Sequence, residues 1–287
     1  MANSAAVVAE RAPVVSPRPR SRRRAGATGV GGVGLGVATG WLSVVVLLPL
    51  AALVSKAFSA GPQVFWHAVE APAARAALVF TVAVSVLVAL VNTVLGTLVA
   101  WVLVRDRFPG KGIVDSLIDL PFALPTIVAS IVLLALYGPR SPIGVNLVAT
   151  RPAVVVALLF VTLPFVVRSV QPVLLELDRD AEQAAASLGA GNWTTFRRVI
   201  LPALAPALLS GAGLAFARAV GEFGSVELIG GGIPRDTQVA SQYIAQQIEN
   251  DQPQVAAAVS VLLLAICFAV LFVLRAWAGR LAVAGRS

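Results

Sequence analysis

The feature that most constrains this chain is the length of its uncharged apolar runs. No Asp, Glu, Lys or Arg occurs from Ala25 to Ser55, from Ala76 to Val104, or from Gln252 to Leu274. A helix rises about 1.5 Å per residue, so about 20 apolar residues cross the ~30 Å hydrocarbon core of a bilayer. Such runs are too long for a buried strand and too uniformly apolar for one face of a soluble helix. Charged residues make up 13% of the chain, against roughly 25% in a soluble domain. Lipid is the solvent this composition suits.

Six runs reach or approach membrane length, which predicts an all-α integral membrane protein of about six transmembrane helices. They lie near 34–55, 76–104, 118–138, 144–167, 199–221 and 255–275. The fourth is the least regular, because Arg151 limits it and Pro164 interrupts it. Six crossings put both termini on one side of the membrane. With the termini in the cytoplasm, sixteen of the 22 Lys and Arg residues fall on that side, as the positive-inside rule requires. Residues 1–27 then read as a disordered, basic cytoplasmic N-terminus and 28–280 as the transmembrane domain. Within that domain 168–198 form a cytoplasmic loop, and 281–287 follow as a cytoplasmic tail. A cleaved signal peptide fits poorly, since its apolar region spans only about 7–15 residues.

The net charge of +8 does not point to nucleic acid. The Arg residues cluster in the first 24 positions and beside apolar runs, where they act as topology signals. Cys267 is the sole cysteine and His67 the sole histidine. These exclude an intrachain disulfide and a His-based metal cage. Intramembrane catalysis needs paired acids, a Ser–His or Ser–Lys pair, or metal ligands, and the apolar runs are poor in all of them. A secondary transporter or channel stays open at this point; inverted repeats would favour it, and none is evident.

Small residues recur every four positions at Gly32, Gly36 and Gly40, at Asn92, Gly96 and Ala100, and at Ala207, Gly211 and Ala215. This spacing predicts close helix–helix contacts in lipid. Pro49, Pro121, Pro125 and Pro164 are expected kink sites.

The most informative polar stretch follows the fourth run. Leu177, Ala181, Ala184 and Leu188 fall on one helical face, and Asp178, Arg179, Glu182 and Gln183 on another. Gly189 suits a helix stop. A short amphipathic helix is predicted, either docking into another protein's groove or resting on lipid.

The residues from Glu182-Gln183-Ala184-Ala185 to Gly189, then nine residues, then Val199-Ile200-Leu201-Pro202 resemble the EAA loop of bacterial ABC importer permeases, the binding-protein-dependent transport permeases. That pattern is E-A-A, three residues, G, nine residues, I-x-L-P. Ala184, Ala185, Gly189, Leu201 and Pro202 match. Gln183 stands at the Glu position, with Glu182 one residue earlier, and Val199 stands at the Ile position. The resemblance implies a type I importer bundle. Its coupling helix sits in a cleft of a cytoplasmic ATPase, with Glu182, Gln183, Ala184, Ala185, Leu188, Gly189, Val199, Leu201 and Pro202 as the coupling site. It also implies two ATPase subunits that use ATP and Mg, a second homologous permease, an extracytoplasmic binding protein and a bacterial plasma membrane. The nearest phosphate-loop lookalike, Pro109-Gly110-Lys111-Gly112, lacks the upstream Gly and the hydroxyl residue. ATP hydrolysis is therefore expected in the partner, and no cofactor on this chain.

Two further stretches narrow the resemblance. Asp115 to Pro125 reads DSLIDLPFALP and Phe216 to Gly224 reads FARAVGEFG. Over residues 35–280 these are similar to the T-type subunits of sulfate/thiosulfate permeases. That implies a heterodimer with a W-type subunit and a sulfate-binding protein as donor. Molybdate/tungstate permeases share the G-E-F-G segment and are the alternative. Arg218 and Glu222 are four apart near the end of the fifth run, so they share a helix face where charge is costly. They read either as a structural pair or as lining for an oxyanion path. Gly230-Gly231-Gly232 reads as a flexible outer loop rather than as a set of backbone donors to an anion.

Overall fold

The computed structural model describes residues 29–284, so the N-terminal segment expected to be disordered lies outside the described residues. Every regular element among the described residues is helical, with no strand. The chain divides into two compact units, one up to Leu50 and one from Ala51.

The first unit holds α1 (Gly29–Leu42), a π-helical turn (Ser43–Leu47) and the start of α2 (Leu48–Phe58). The kink expected at Pro49 appears as this widened turn: the Leu48 N–H donates to the Ser43 carbonyl, five residues back. A proline ring crowds the carbonyl four residues before it and supplies no N–H, and a π turn accommodates both defects. The same solution recurs ahead of Pro202, where the Leu201 N–H donates to the Phe196 carbonyl.

The second unit opens with α3 (Pro62–Glu70) and α4 (Pro72–Arg105). Three short helices follow: α5 (Lys111–Ile118), α6 (Leu120–Ala123) and α7 (Thr126–Tyr137). Next come α8 (Arg151–Glu176), α9 (Arg179–Ser187) and α10 (Asn192–Thr195). The last runs through a π turn (Phe196–Ile200) directly into α11 (Leu201–Val220). The unit closes with α12 (Gly224–Glu227), α13 (Ala240–Glu249) and α14 (Pro253–Ala284).

Five described helical stretches are long and apolar enough to cross a membrane: Gly34–Phe58, Pro72–Arg105, Arg151–Glu176, Asn192–Val220 and Pro253–Gly279. The crossing expected over 118–138 is broken. Leu124 is extended at ψ 133° and Pro125 opens α7 at ψ 135°, because a residue before proline is pushed out of the helical region. The 12 residues of α7 rise only about 18 Å. The fourth helix differs in both directions from 144–167. It starts at Arg151, with the Thr150 hydroxyl accepting from the Ala153 N–H, and continues through Pro164 and Pro172 to Glu176. Arg168 is therefore inside α8, and the loop expected at 168–198 begins only after Glu176. The fifth helix starts earlier than 199, at Asn192, and the last extends past 275 and into the expected tail, to Ala284.

The centre of the second unit is the packing of α4, α8 and α11 on one another. Two of the three small-residue stripes lie there. Asn92, Gly96 and Ala100 are buried, as are Gly211 and Ala215, with Ala207 partly buried. A Cβ on Gly96 would sit 2.9 Å from Val166 Cβ, and one on Gly211 would sit 3.1 Å from Val166 Cα. The backbones thus approach closely around Val166, where dispersion between helices is greatest. Asn92 donates to the Leu159 carbonyl at 3.0 Å and to the Thr162 hydroxyl at 2.8 Å, so its amide bridges α4 to α8. The third stripe, Gly32, Gly36 and Gly40, lies on α1 in the first unit.

A second apolar cluster joins α3, α13 and the start of α14 to α4 through Phe65, Ala68, Val69, Tyr243, Ala257 and Ala258. The Ala240 N–H donates to the Thr81 hydroxyl at 2.7 Å, pinning α13 to α4. The Gly230–Gly232 segment is not slack: the Ala149 N–H donates to the Ile229 carbonyl at 2.8 Å, and a Cβ on Gly231 would lie 2.7 Å from Ala149 Cβ.

Candidate functional site

The amphipathic helix expected after the fourth run is α9. Asp178 caps it, accepting from the Asp180 N–H at 2.9 Å, and Asp180 and Glu182 place negative charge in the first turn, where the helix dipole favours it. The far end closes on Gly189. The Gly189 N–H donates to the Ala186 carbonyl and the Ala190 N–H to the Ala185 carbonyl, at 2.9 and 3.0 Å. This reverse turn needs a left-handed residue, and Gly189 has φ +84°. Gln183, Ala184 and Gly189 are exposed, and Leu188 is 90% exposed.

The two halves of the sequence motif meet in space. Ala185, Leu188 and Gly189 face Arg198 and Val199 across a cleft of about 400 Å³. Leu201 and Pro202 start α11 immediately beyond, and both are exposed. A neighbouring cleft of about 560 Å³ lies between α9, the end of α4 and the π turn, lined by Glu182, Ala186, Trp101, Trp193 and Phe196. Its aromatic wall is ordered. Trp101 meets Phe196 edge-on at 6.0 Å between centroids, and Phe196 stacks on Trp193 at 5.7 Å.

Glu182 does not point outward. Its carboxylate pairs with the guanidinium of Arg105, in the last turn of α4, and both side chains are mostly shielded. Arg105 also lies over the Trp101 ring, 5.2 Å from its centroid.

Sequence reasoning assigned no role to a second ionic cluster beside this loop. Arg168 on α8 donates from Nε to Asp119 Oδ1 at 2.8 Å, from Nη2 to Asp119 Oδ2 at 2.5 Å, and from Nη1 to Asp115 Oδ1 at 2.8 Å. Gln171 joins through its amide oxygen, accepting from Arg168 at 2.6 Å. The cluster clamps α5 and α6 onto the last turns of α8. Arg168, chiefly by its hydrogen bond, holds the Asp115 carboxyl below the usual carboxylate range. The sequence signal was the four-residue spacing of Asp115 and Asp119, which puts two acids on one side.

Arg218 and Glu222 lie at the opposite end of α11 from the loop. They form an ion pair, Arg218 Nη2 to Glu222 Oε2, at 2.7 Å, angled so that no N–H points at that oxygen. The Glu222 side chain is only 1% exposed, and its other oxygen accepts the Ser225 N–H at 2.9 Å, capping α12. Ser241 on α13 donates to the Glu222 carbonyl at 2.6 Å. Glu222 is thus a structural node between α11, α12 and α13. Arg218, 34% exposed, retains a free face.

Residues 92–283 match the family described as the binding-protein-dependent transport system inner membrane component. The sulfate transport system permease protein CysT of Synechocystis sp. is 43% identical over 252 residues, 84% of this chain and 88% of that protein. CysT of Escherichia coli is 40% identical over 239 residues, 80% of this chain and 86% of that one. Among solved structures, a bacterial ABC transporter involved in import of the acidic polysaccharide alginate matches with a TM-score of 0.70. It is 14% identical and covers 88% of this chain and 96% of its own. The inward-facing MetNI methionine ABC transporter matches with a TM-score of 0.58, 21% identical, covering 77% of this chain and 99% of its own. These two likenesses establish the permease fold.

Proposed function

Because the chain belongs to the binding-protein-dependent transport system inner membrane component family, we propose that it is a channel-forming permease subunit through which an ABC importer moves sulfate into the cytoplasm. Relatives that cover four fifths of the chain at 40% identity or more carry the name of sulfate permeases. They favour sulfate over molybdate or tungstate.

The observation that carries the mechanism is the cleft where Gly189 and Val199 face each other beside the exposed tip of Leu188. In this reading α9 is the coupling helix, and its exposed face of Gln183, Ala184 and Leu188 enters a groove of a partner ATPase. ATP and Mg are used in that partner. The rocking of α9 passes into α11 through the continuous helix from Asn192. The loop end then faces the cytoplasm, in the plasma membrane of a bacterium. A second, homologous permease completes the bundle as a heterodimer, and an extracytoplasmic sulfate-binding protein delivers the anion at the far end.

At that far end Arg218 is the residue best suited to meet sulfate. A dianion needs a cation with an accessible face, and Arg218 has one, while Glu222 is spent on capping α12. Glu222 offsets part of the Arg218 charge, which keeps the anion from being trapped.

The test is uptake of labelled sulfate by cells with and without this subunit, with molybdate as unlabelled competitor. Sulfate uptake is expected to disappear on deletion, and molybdate to compete poorly. Unchanged sulfate uptake would overturn the substrate assignment.

A further inference from the structure

We infer that Arg105 and Trp101, at the end of α4, form an internal seat for α9, and that the Arg105–Glu182 pair is the strut that carries the movement of α9 into α4. The inference rests on α9 being the coupling helix. It explains why the carboxylate stands at 182 while the position of the pattern's Glu holds Gln183.

One residue along a helix turns a side chain by about 100°. Gln183 is exposed, whereas Glu182 reaches back across the 77 residues that separate it from Arg105. The Glu182 charge is therefore held inside the chain, and at position 183 the surface carries an uncharged amide. The pair is shielded from water, and Arg105 Nε is buried with no hydrogen-bond partner of its own. Without Glu182, the guanidinium keeps only the Trp101 face at 5.2 Å. Leaving a shielded cation uncompensated is what makes such a pair stiff.

The seat also has an apolar wall. Trp101 and Phe196 meet edge-on, and both line the cleft with Glu182 and Ala186. One contact set thus spans α4, α9 and the π turn leading to α11. The covalent route from α9 leads to α8 on one side and α11 on the other. This seat connects α9 to α4, which itself packs along α8 and α11. A displacement of α9 then moves all three central helices together. Arg105 and Trp101 act as positioning residues; neither lies within the coupling motif.

The experiment uses the complete transporter in proteoliposomes, with both permeases, the ATPase and the binding protein. It reads sulfate taken up per ATP hydrolysed. Glu182→Arg and Arg105→Glu are each expected to lower that ratio about tenfold, the scale of one lost charge-assisted hydrogen bond. ATPase co-purification should be unchanged in Arg105→Glu, which lies outside the coupling motif. The double reversal is expected to restore most of the ratio. A double reversal no better than either single change, with the ATPase still bound, would overturn the strut and assign Glu182 to the partner. Where reversal prevents assembly, the milder Glu182→Gln and Arg105→Gln serve. Their combined effect should be no larger than one alone, and multiplying effects would overturn the strut. Gly189→Trp separates the two levels: full uptake per ATP in that variant would remove the coupling reading itself, whatever the strut variants do.

Discussion

The α4–α8–α11 interface and the loop between α8 and α11 are held by different forces. The interface is a fit of shapes: small residues let backbones meet around Val166, and Asn92 adds one directional amide. The loop is held by a few ionic and aromatic contacts, Arg105 to Glu182 and Trp101 to Phe196, and beside it Arg168 clamps α5 and α6 to α8 through Asp115 and Asp119. A shape fit has one good arrangement and fails abruptly when volume is added. A shielded ion pair resists separation of its partners while constraining their mutual angle less. The contrast suits a machine whose central helices move as a body while its input lever re-aims.

The sharpest way to break this contrast is to add volume at Gly96. Gly96→Leu should cost about 3 kcal/mol by overpacking against Val166, read as a lower unfolding temperature in detergent. Wild-type stability would mean that α4 and α8 do not meet there. Removing the clamp should cost less. Arg168→Ala strips both aspartates of their partner, but these side chains are partly exposed, so the loss should be about 1 kcal/mol. Faster hydrogen exchange confined to α5 and α6 would report it. Asn92→Leu should be the mildest, about 0.6 kcal/mol, because leucine fills much of the space while the Thr162 hydroxyl keeps its bond to the Leu158 carbonyl.

The clamp should also respond to acid, with a definite sign. The Asp115 carboxyl is held below its ordinary value of 3.8, first by its hydrogen bond from Arg168. Its contribution is therefore complete above about pH 4 and is lost as pH falls through the depressed folded value. Exchange in α5, taken relative to the intrinsic amide rate at each pH, should be flat from neutral pH to about 5 and rise only in stronger acid. A rise centred near neutrality would assign the effect to another group.

How much of this was legible in the sequence follows from the kind of force involved. Uncharged runs expose the long helices, because lipid tolerates little else. The two buried small-residue stripes were readable as well, since close approach demands small side chains. Pro125 was legible as a kink site, but hydropathy does not register that the helix expected over 118–138 stops at Ala123 and restarts at Thr126. Arg151 was read as an interruption and is the first residue of α8, at the end where its charge can face water. Glu182 and Gln183 were visible as a departure from the pattern, but the partner of Glu182 lies 77 residues away. No local periodicity encodes a contact of that range. The pair of Arg218 and Glu222 was legible from its spacing, while the capping of α12 by Glu222 was not, because it depends on the chain reversing after Gly221.

The central claim is that α9 couples a partner's ATP hydrolysis to the bundle, and Gly189 tests it most directly. Among the described residues nothing beyond its chain neighbours lies within 4 Å of a Cβ placed there, so a tryptophan side chain at 189 starts in open space on the surface proposed to meet the partner. The left-handed backbone adds strain of about 1–2 kcal/mol; Gly189→Asn, which tolerates that conformation, is the control. Sulfate uptake and ATP hydrolysis should be measured together in proteoliposomes holding the complete transporter. The account predicts that Gly189→Trp assembles in the membrane and loses uptake per ATP, while Gly189→Asn keeps it. Undiminished uptake per ATP in Gly189→Trp would contradict the claim.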